Sequence, residues 1–290
     1  MNASFIAEKE PALSESQRKA LLTLLSDEDL AVYQMVRQKI VSCGEGALDW
    51  LQPHLLSREP LLRRRVQEIV DHLARQTADT RFLAFCVSQG EDLHAEQGVW
   101  LLAQTRYPDA HAVAYQAVLD SYADDLRDRI DSAAPARQIL ETLNRYLFQE
   151  LGFRGNELDY YHPDNSYLNR VMDFRTGNPV SLCLLYLFLG WRLHLPLAGI
   201  GLPGHFLCRF QSSTSEIYVD AFNRGRLLTR ADCIRYLVQT SQGLQDGFLT
   251  PMRPRRILLR VCSNLHQIYL QMKEPREAER LKRYVVALAK

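Results

Sequence analysis

The chain has 290 residues, 47% hydrophobic and 24% charged, which excludes a disordered or collagenous polymer and leaves enough apolar side chain for sizeable cores. At roughly 150 residues per domain the length predicts about two domains. Lysine plus arginine (35) balance aspartate plus glutamate (34), so no long-range field draws nucleic acid or an anionic membrane. With 14 glycines and 12 prolines, turn-forming residues fall below the usual share, which predicts a helix-rich fold.

The first residues, Met1 to Ser14, carry acids and no apolar run of signal-peptide length, so a cytoplasmic location is expected. From Ser14 to about Thr77 apolar residues recur at helical spacing: Leu21, Leu22 and Leu25, then Val32, Met35, Val36 and Ile40, then Leu48, Leu51 and Leu55, then Val66, Ile69, Val70 and Leu73. Breaks are expected at Ser26-Asp27, at Gly44 and Gly46, and from Ser57 to Pro60. Leu24 to Asp29 resembles the start of a HEAT-type helical unit, and Leu55 to Pro60 resembles it again.

Beyond a boundary at Gly90 to Leu93, helices are predicted over Glu96 to Arg106, His111 to Ile130 and Ala136 to Leu151, the last opened by Pro135. The segment from Gly152 to Tyr167 is rich in Gly, Asn, Asp, Pro and Tyr, the composition of an ordered irregular loop, and such loops often carry function. Asn178-Pro179 reads as a helix start, cap followed by first-turn proline. The helix that follows, Val180 to Trp191, is apolar almost all round, so it is expected to be enclosed, with Gly190 admitting a close neighbour. It is too short to cross a bilayer.

After Leu193 the period changes to two. Strands are predicted over Pro196 to Gly201, His205 to Phe210 and Ile217 to Phe222, and helices over Thr229 to Gln239, Ile257 to Leu270 and Ala278 to Leu288. A hairpin turn symmetric about Ser212-Ser213 puts His205 opposite Asp220, and a register shifted by two residues still leaves them diagonal and within reach. A carboxylate beside an imidazole fixes its tautomer and stabilises the imidazolium. The same pair also reads as a hydrogen-bonded structural histidine on a strand.

The runs Asn165 to Val171, Arg175 to Leu182, Leu185-Tyr186, Arg192-Leu193, Pro203 to Phe206 and Asp220 to Phe222 resemble the core of the SirB-type branch of the transglutaminase-like superfamily. The resemblance implies an α+β, papain-related core in which a central buried helix packs on a small antiparallel sheet. It also implies a Cys-His-Asp triad and a C-terminal tetratricopeptide-like (TPR-like) hairpin. With the HEAT-like N-terminal flank, the expected domains are 1–90, a core over 91–250, and a hairpin over 251–290. His205 and Asp220 match the family histidine and aspartate. The cysteine is implied at Val180 or Ser181, and no thiol stands there. Cys183 lies further along the helix among leucines, which suggests a buried, protonated thiol. Ser181 completes a Ser-His-Asp alternative, against its plainer role of bonding backbone in the first helical turn.

The six cysteines show no zinc-type spacing, and neither metal nor cofactor is expected. Asn178, Tyr160, Tyr161, His162 and Asn165 are expected to line the cleft beside the helix start. The basic clusters Arg63 to Arg65 and Arg253, Arg255, Arg256 and Arg260 could meet phosphate or an acidic partner, but a charge run on a helix is usually a solvated face, and the clusters read as such. A protein or peptide partner is expected, without nucleic acid or membrane. Two functions follow: a non-catalytic interaction or regulatory scaffold, or a hydrolase or acyl transferase acting on amide bonds through Cys183 or Ser181, with His205 as base and Asp220 orienting it.

Overall fold

The computed structural model describes residues 13–240 and 247–290. Most of the acidic N-terminal stretch lies outside the described residues. The chain divides into two compact units, Met1–Thr80 with Thr105–Pro108, and Arg81–Gln104 with Asp109–Lys290.

In the first unit α1 (Glu15–Leu25) begins with a capping box, Ser14 and Gln17 each closing the other's backbone N–H. Asp29 caps α2 (Leu30–Ser42), and a 3₁₀ turn leads to the short α3 (Leu48–Leu51) and then to α4 (Pro60–Ser88), whose residues from Arg81 onward belong to the second unit. The predicted apolar stripes meet in one core of Leu25, Val36, Ile40, Leu51, Val66, Ile69 and Leu73.

The second unit continues with α5 (Ala95–Arg106), α6 (Ala112–Arg127) and α7 (Ala136–Asn144), the last passing into a π-helical turn over Arg145–Glu150. The sequence pattern alone predicts uninterrupted helix from Ala136 to Leu151. A two-residue strand, β1 (Arg154–Gly155), pairs in parallel with β2 (Thr176–Gly177), separated by α8 (Leu168–Phe174). Next come α9 (Pro179–Arg192) and an antiparallel sheet, β3 (Leu197–Leu202), β4 (His205–Gln211), β5 (Glu216–Asp220) and β6 (Arg226–Leu228), in spatial order β3-β4-β5-β6. The chain then forms α10 (Arg230–Gln239) and a hairpin of α11 (Pro254–Gln271) and α12 (Pro275–Ala289).

Helix α9 is the centre of this unit. Every residue from Pro179 to Gly190 is buried, as an all-round apolar helix requires. It packs on β3 and β4 and on α6. A Cβ placed on Gly190 collides with Leu197 of β3, so the glycine is what lets the sheet approach the helix. At its end Arg192 makes two 2.8 Å bonds to Glu96 and one of 2.6 Å to Asp120.

Two arginines expected on solvated faces are buried instead. Arg65, 7% exposed, donates to the carbonyls of Leu25 and Asp27. Arg255 is 5% exposed and donates to the carbonyls of Cys86, Gln89, Ala287 and Leu288 at 2.7–3.1 Å. Its charge faces the negative ends of α4 and α12, which explains why no carboxylate is needed beside it. Among the described residues no helix is long and apolar enough to cross a membrane.

Candidate functional site

The two-residue Pro203-Gly204 connection between β3 and β4 places Gly204 at φ +70°, a conformation that suits glycine. This delivers His205 to the first position of β4. On the other side, the β4–β5 register pairs Gln211 with Glu216 and Cys208 with Val219. The hairpin loop is therefore Ser212 to Ser215, centred one residue beyond the turn that the sequence predicts at Ser212-Ser213, which shifts the pairing partners by two. The Ser212 hydroxyl accepts from the backbone N–H groups of Thr214 and Ser215, which stabilises the four-residue loop. His205 and Asp220 are diagonal in consequence, with Nε2 2.9 Å from Oδ2.

The pair sits at the rim of the core, the histidine side chain 15% exposed and the carboxylate 8%. Burial pushes the Asp220 carboxyl up, but the His205 hydrogen bond and charge, with two bonds from Asn223, outweigh it and hold the group below its ordinary value. Asn223 donates its backbone N–H at 3.2 Å and its amide at 2.8 Å. The Asp220 carbonyl accepts from Gly225, and Gly225 has φ +75°. Asn144 donates to the Gly225 carbonyl at 2.6 Å, at the residue where α7 passes into the π-helical turn. The turn that holds the carboxylate is thus anchored to that irregularity.

His205 and Asp220 open on a cavity of about 540 Å³ walled by Tyr160, Pro179, Phe222, Arg226, Cys233 and Tyr236 among others. The imidazole stands between Phe222, edge-on with centroids 6.3 Å apart, and Tyr236, at 6.1 Å. Tyr236 is fixed by a 2.8 Å bond to the Pro203 carbonyl.

The helix residue that reaches this cavity is Pro179, the first of α9, whereas Val180 and Ser181 were the predicted nucleophile positions. Ser181 is 1% exposed. Its hydroxyl accepts from the Asn178 N–H and donates to the Asn165 carbonyl at 2.6 Å, while the Asn178 side chain accepts from the Ser181 N–H. It is a capping-box residue facing the 156–166 loop and does not line the cavity. Cys183 is fully buried, its thiol directed at the Phe206 carbonyl at 3.4 Å. Burial first, then Cys208, pushes it well above the usual thiol range. The thiol that does reach the cavity wall is Cys233 of α10, which sequence reasoning passed over. It is 1% exposed, and burial pushes it to about 12. Neither thiol supplies a thiolate at neutral pH.

The loop residues separate. Tyr160 lines the cavity and stands edge-on to Phe222. Tyr161 and Asn178 line a second, adjoining cavity of about 220 Å³ that shares Tyr160 and Gly204 with the first. His162 and Asn165 line neither, which corrects the cleft assignment. His162 accepts from the Asp164 N–H and caps a 3₁₀ turn. Asn165 is a buried hub, bonding the Asp159 and Tyr160 carbonyls and accepting from Asn156. Asn223, Cys233 and Tyr236 carry no functional signal in the sequence; Pro179 is marked there only as the first-turn proline of α9, and Phe222 only as the end of the Asp220 to Phe222 run. No group of three or more His, Cys, Asp or Glu able to hold a metal occurs among the described residues.

Comparison with known proteins places the site in a family context. The family model described as the transglutaminase-like superfamily matches residues 113–263. A UPF0162 protein of Xylella fastidiosa (strain 9a5c) is 39% identical over 176 residues, covering 58% of this chain and 62% of the relative. A UPF0162 protein of Pseudomonas aeruginosa is 31% identical over 196 residues, covering 66% of this chain and 70% of the relative. Human F-box only protein 21 is 35% identical over 136 residues, 44% of this chain but 21% of its own length. The chain therefore spans less than two thirds of the Xylella relative and a small part of the human one. No solved structure matches. The family match covers just over half of the chain and includes α9, both strands of the His205–Asp220 pair and most of α11: the chain belongs to the transglutaminase-like superfamily.

Proposed function

We propose that this chain is a transglutaminase-like module of the SirB type that binds a protein or peptide partner in the His205 cleft without covalent catalysis. The observation that carries the reading is the identity of the residue at the mouth of α9. A helix N-terminus beside a histidine activates a thiol by offering free N–H groups and a positive dipole end. Here the first residue is proline, with neither a nucleophilic atom nor an N–H. The rival reading, acyl transfer through Ser181 or Cys183, requires each side chain to leave its present partners. Ser181 has a buried bond to a loop carbonyl, and Cys183 a buried place between α9 and β4.

Retention of the His205–Asp220 pair then serves to shape and charge the cleft. The similarity to a short segment of F-box only protein 21 supports a module that functions within larger proteins. A cytoplasmic site of action fits six cysteines that are all free. The HEAT-like and TPR-like helical flanks complete the proposal as partner-binding surfaces.

The test is incubation of the full chain and of His205→Ala with a fluorophosphonate probe and an acyl-thioester probe, read by peptide mass spectrometry. The reading expects no adduct that depends on His205. An adduct on Ser181, Cys183 or Cys233 that vanishes in His205→Ala overturns it.

A further inference from the structure

We propose that the cleft takes an extended peptide segment carrying an acidic residue, whose backbone lies along the carboxamides of Asn264, Gln267 and Gln271 and whose carboxylate meets Arg260. This deepens the binding reading of the His205 cleft and rests on it.

The two cavities meet at Tyr160 and Gly204, which line both. Gly204 has no side chain and only the Tyr236 hydroxyl near a Cβ position, at 3.7 Å. A backbone can therefore pass closely over it from one cavity to the other. The second cavity is walled by one face of α11 bearing Arg260, Asn264, Gln267 and Gln271.

None of these three carboxamides makes a hydrogen bond to another described residue, although each offers donors and an acceptor. At 1.5 Å rise per helical residue, Asn264 to Gln271 spans about 10 Å and Arg260 to Gln271 about 16 Å. An extended chain advances about 3.3 Å per residue, so the row matches roughly three to five peptide units. The carboxamides stand about 4.5 and 6 Å apart along the helix axis, within reach of the carbonyl and N–H groups of an extended polypeptide, whose every unit carries one of each.

Charge selects the sequence. Arg260 is partly buried, donates one bond to the Leu202 carbonyl and has no carboxylate partner among the described residues. It lies within electrostatic reach of Tyr160 and Tyr236, at the waist between the cavities. The carboxylates of the first cavity are already engaged, Asp220 by His205 and Asn223, Asp232 by Thr229 and Arg235. A guanidinium left with one neutral acceptor in a half-buried groove favours an incoming carboxylate.

The experiment pans a phage library of random dodecapeptides on the full chain, with depletion on Asn264→Ala/Gln267→Ala/Gln271→Ala. Selected peptides are then measured by fluorescence anisotropy, circular dichroism confirming that the exposed-face variants fold. The expected result is enrichment of Asp or Glu, with affinity falling at least fivefold in Arg260→Gln, in the triple variant, and on N-methylation of the peptide's central amides. No peptide above background, or a loss below fivefold in either variant, overturns the proposal. A His205-dependent probe adduct would overturn the non-catalytic reading alone, so the two failures are distinguishable.

Discussion

Asp220 Oδ2 meets His205 Nε2 at 2.9 Å along a diagonal of the β4–β5 ladder, and the same oxygen accepts the Asn223 amide. The carboxylate is therefore the acceptor on which the turn after β5 closes. Replacing it by alanine removes all of these bonds and leaves the Asn223 N–H without its acceptor. Asp220→Ala is expected to cost about 1–3 kcal/mol of stability, measured by urea unfolding, and Asp220→Asn less, because one carboxamide oxygen still accepts.

The acid limb of the stability curve follows from the same group. Its folded pKa is depressed, so its contribution is fully present above the ordinary aspartate value of about 3.9 and is lost as pH falls from there through the folded value. Native protein and Asp220→Asn are expected to converge in stability as pH drops below about 4. Parallel curves between pH 5 and 3 would remove Asp220 from the acid response.

Arg255 is expected to be one of the most sensitive surface-typed residues in the second unit. Methionine there leaves the carbonyls of Cys86, Gln89, Ala287 and Leu288 without their donor. The loss is about 3 kcal/mol or more, because charge-assisted bonds are the costlier ones to break. Arg255→Lys keeps the charge but not the planar fork, and its denaturation midpoint is expected between the other two.

The close approach of α9 to β3 gives a packing test. Gly190→Ala places a methyl against Leu197 and is expected to cost about 1–3 kcal/mol. Leu197→Val in the same chain is expected to recover part of that loss. A double-mutant cycle measures the coupling, and additive losses would mean that the methyl is accommodated elsewhere.

Much of this architecture is legible in the sequence because its signals are local. The unbroken apolar run after Asn178-Pro179 marks α9 as the enclosed helix, and the change of period after Leu193 marks the three long strands. What escapes is set by contacts distant in the chain. The short β6 is three residues with no alternation of its own, held by β5. The π-helical turn reads as ordinary helix, its irregularity expressed through Asn144 reaching Gly225. Arg255 looks like a member of a basic cluster until two helix ends are brought around it. In the site, His205 and Asp220 are visible because a hairpin links them. Pro179 and Cys233 are not, since their facing the same cavity depends on how α9 and α10 pack on the sheet. The cysteine position implied by the resemblance, Val180 or Ser181, lies one or two residues past the cavity-facing Pro179, a large rotation on a helix of 3.6 residues per turn.

The account turns on one position: the start of α9 is where a nucleophile would act, and the chain holds proline there. The most direct measurement is the rate of iodoacetamide alkylation between pH 5 and 10, mapped by residue, for the native chain, Pro179→Cys and Pro179→Cys/His205→Ala. The expected result is slow native labelling at Cys183 and Cys233 across neutral pH. Pro179→Cys should add a fast adduct at position 179 with a midpoint below that of an ordinary thiol, raised again when His205 is removed. Rapid neutral-pH alkylation of Cys183 or Cys233 in the native chain, abolished by His205→Ala, would contradict the account.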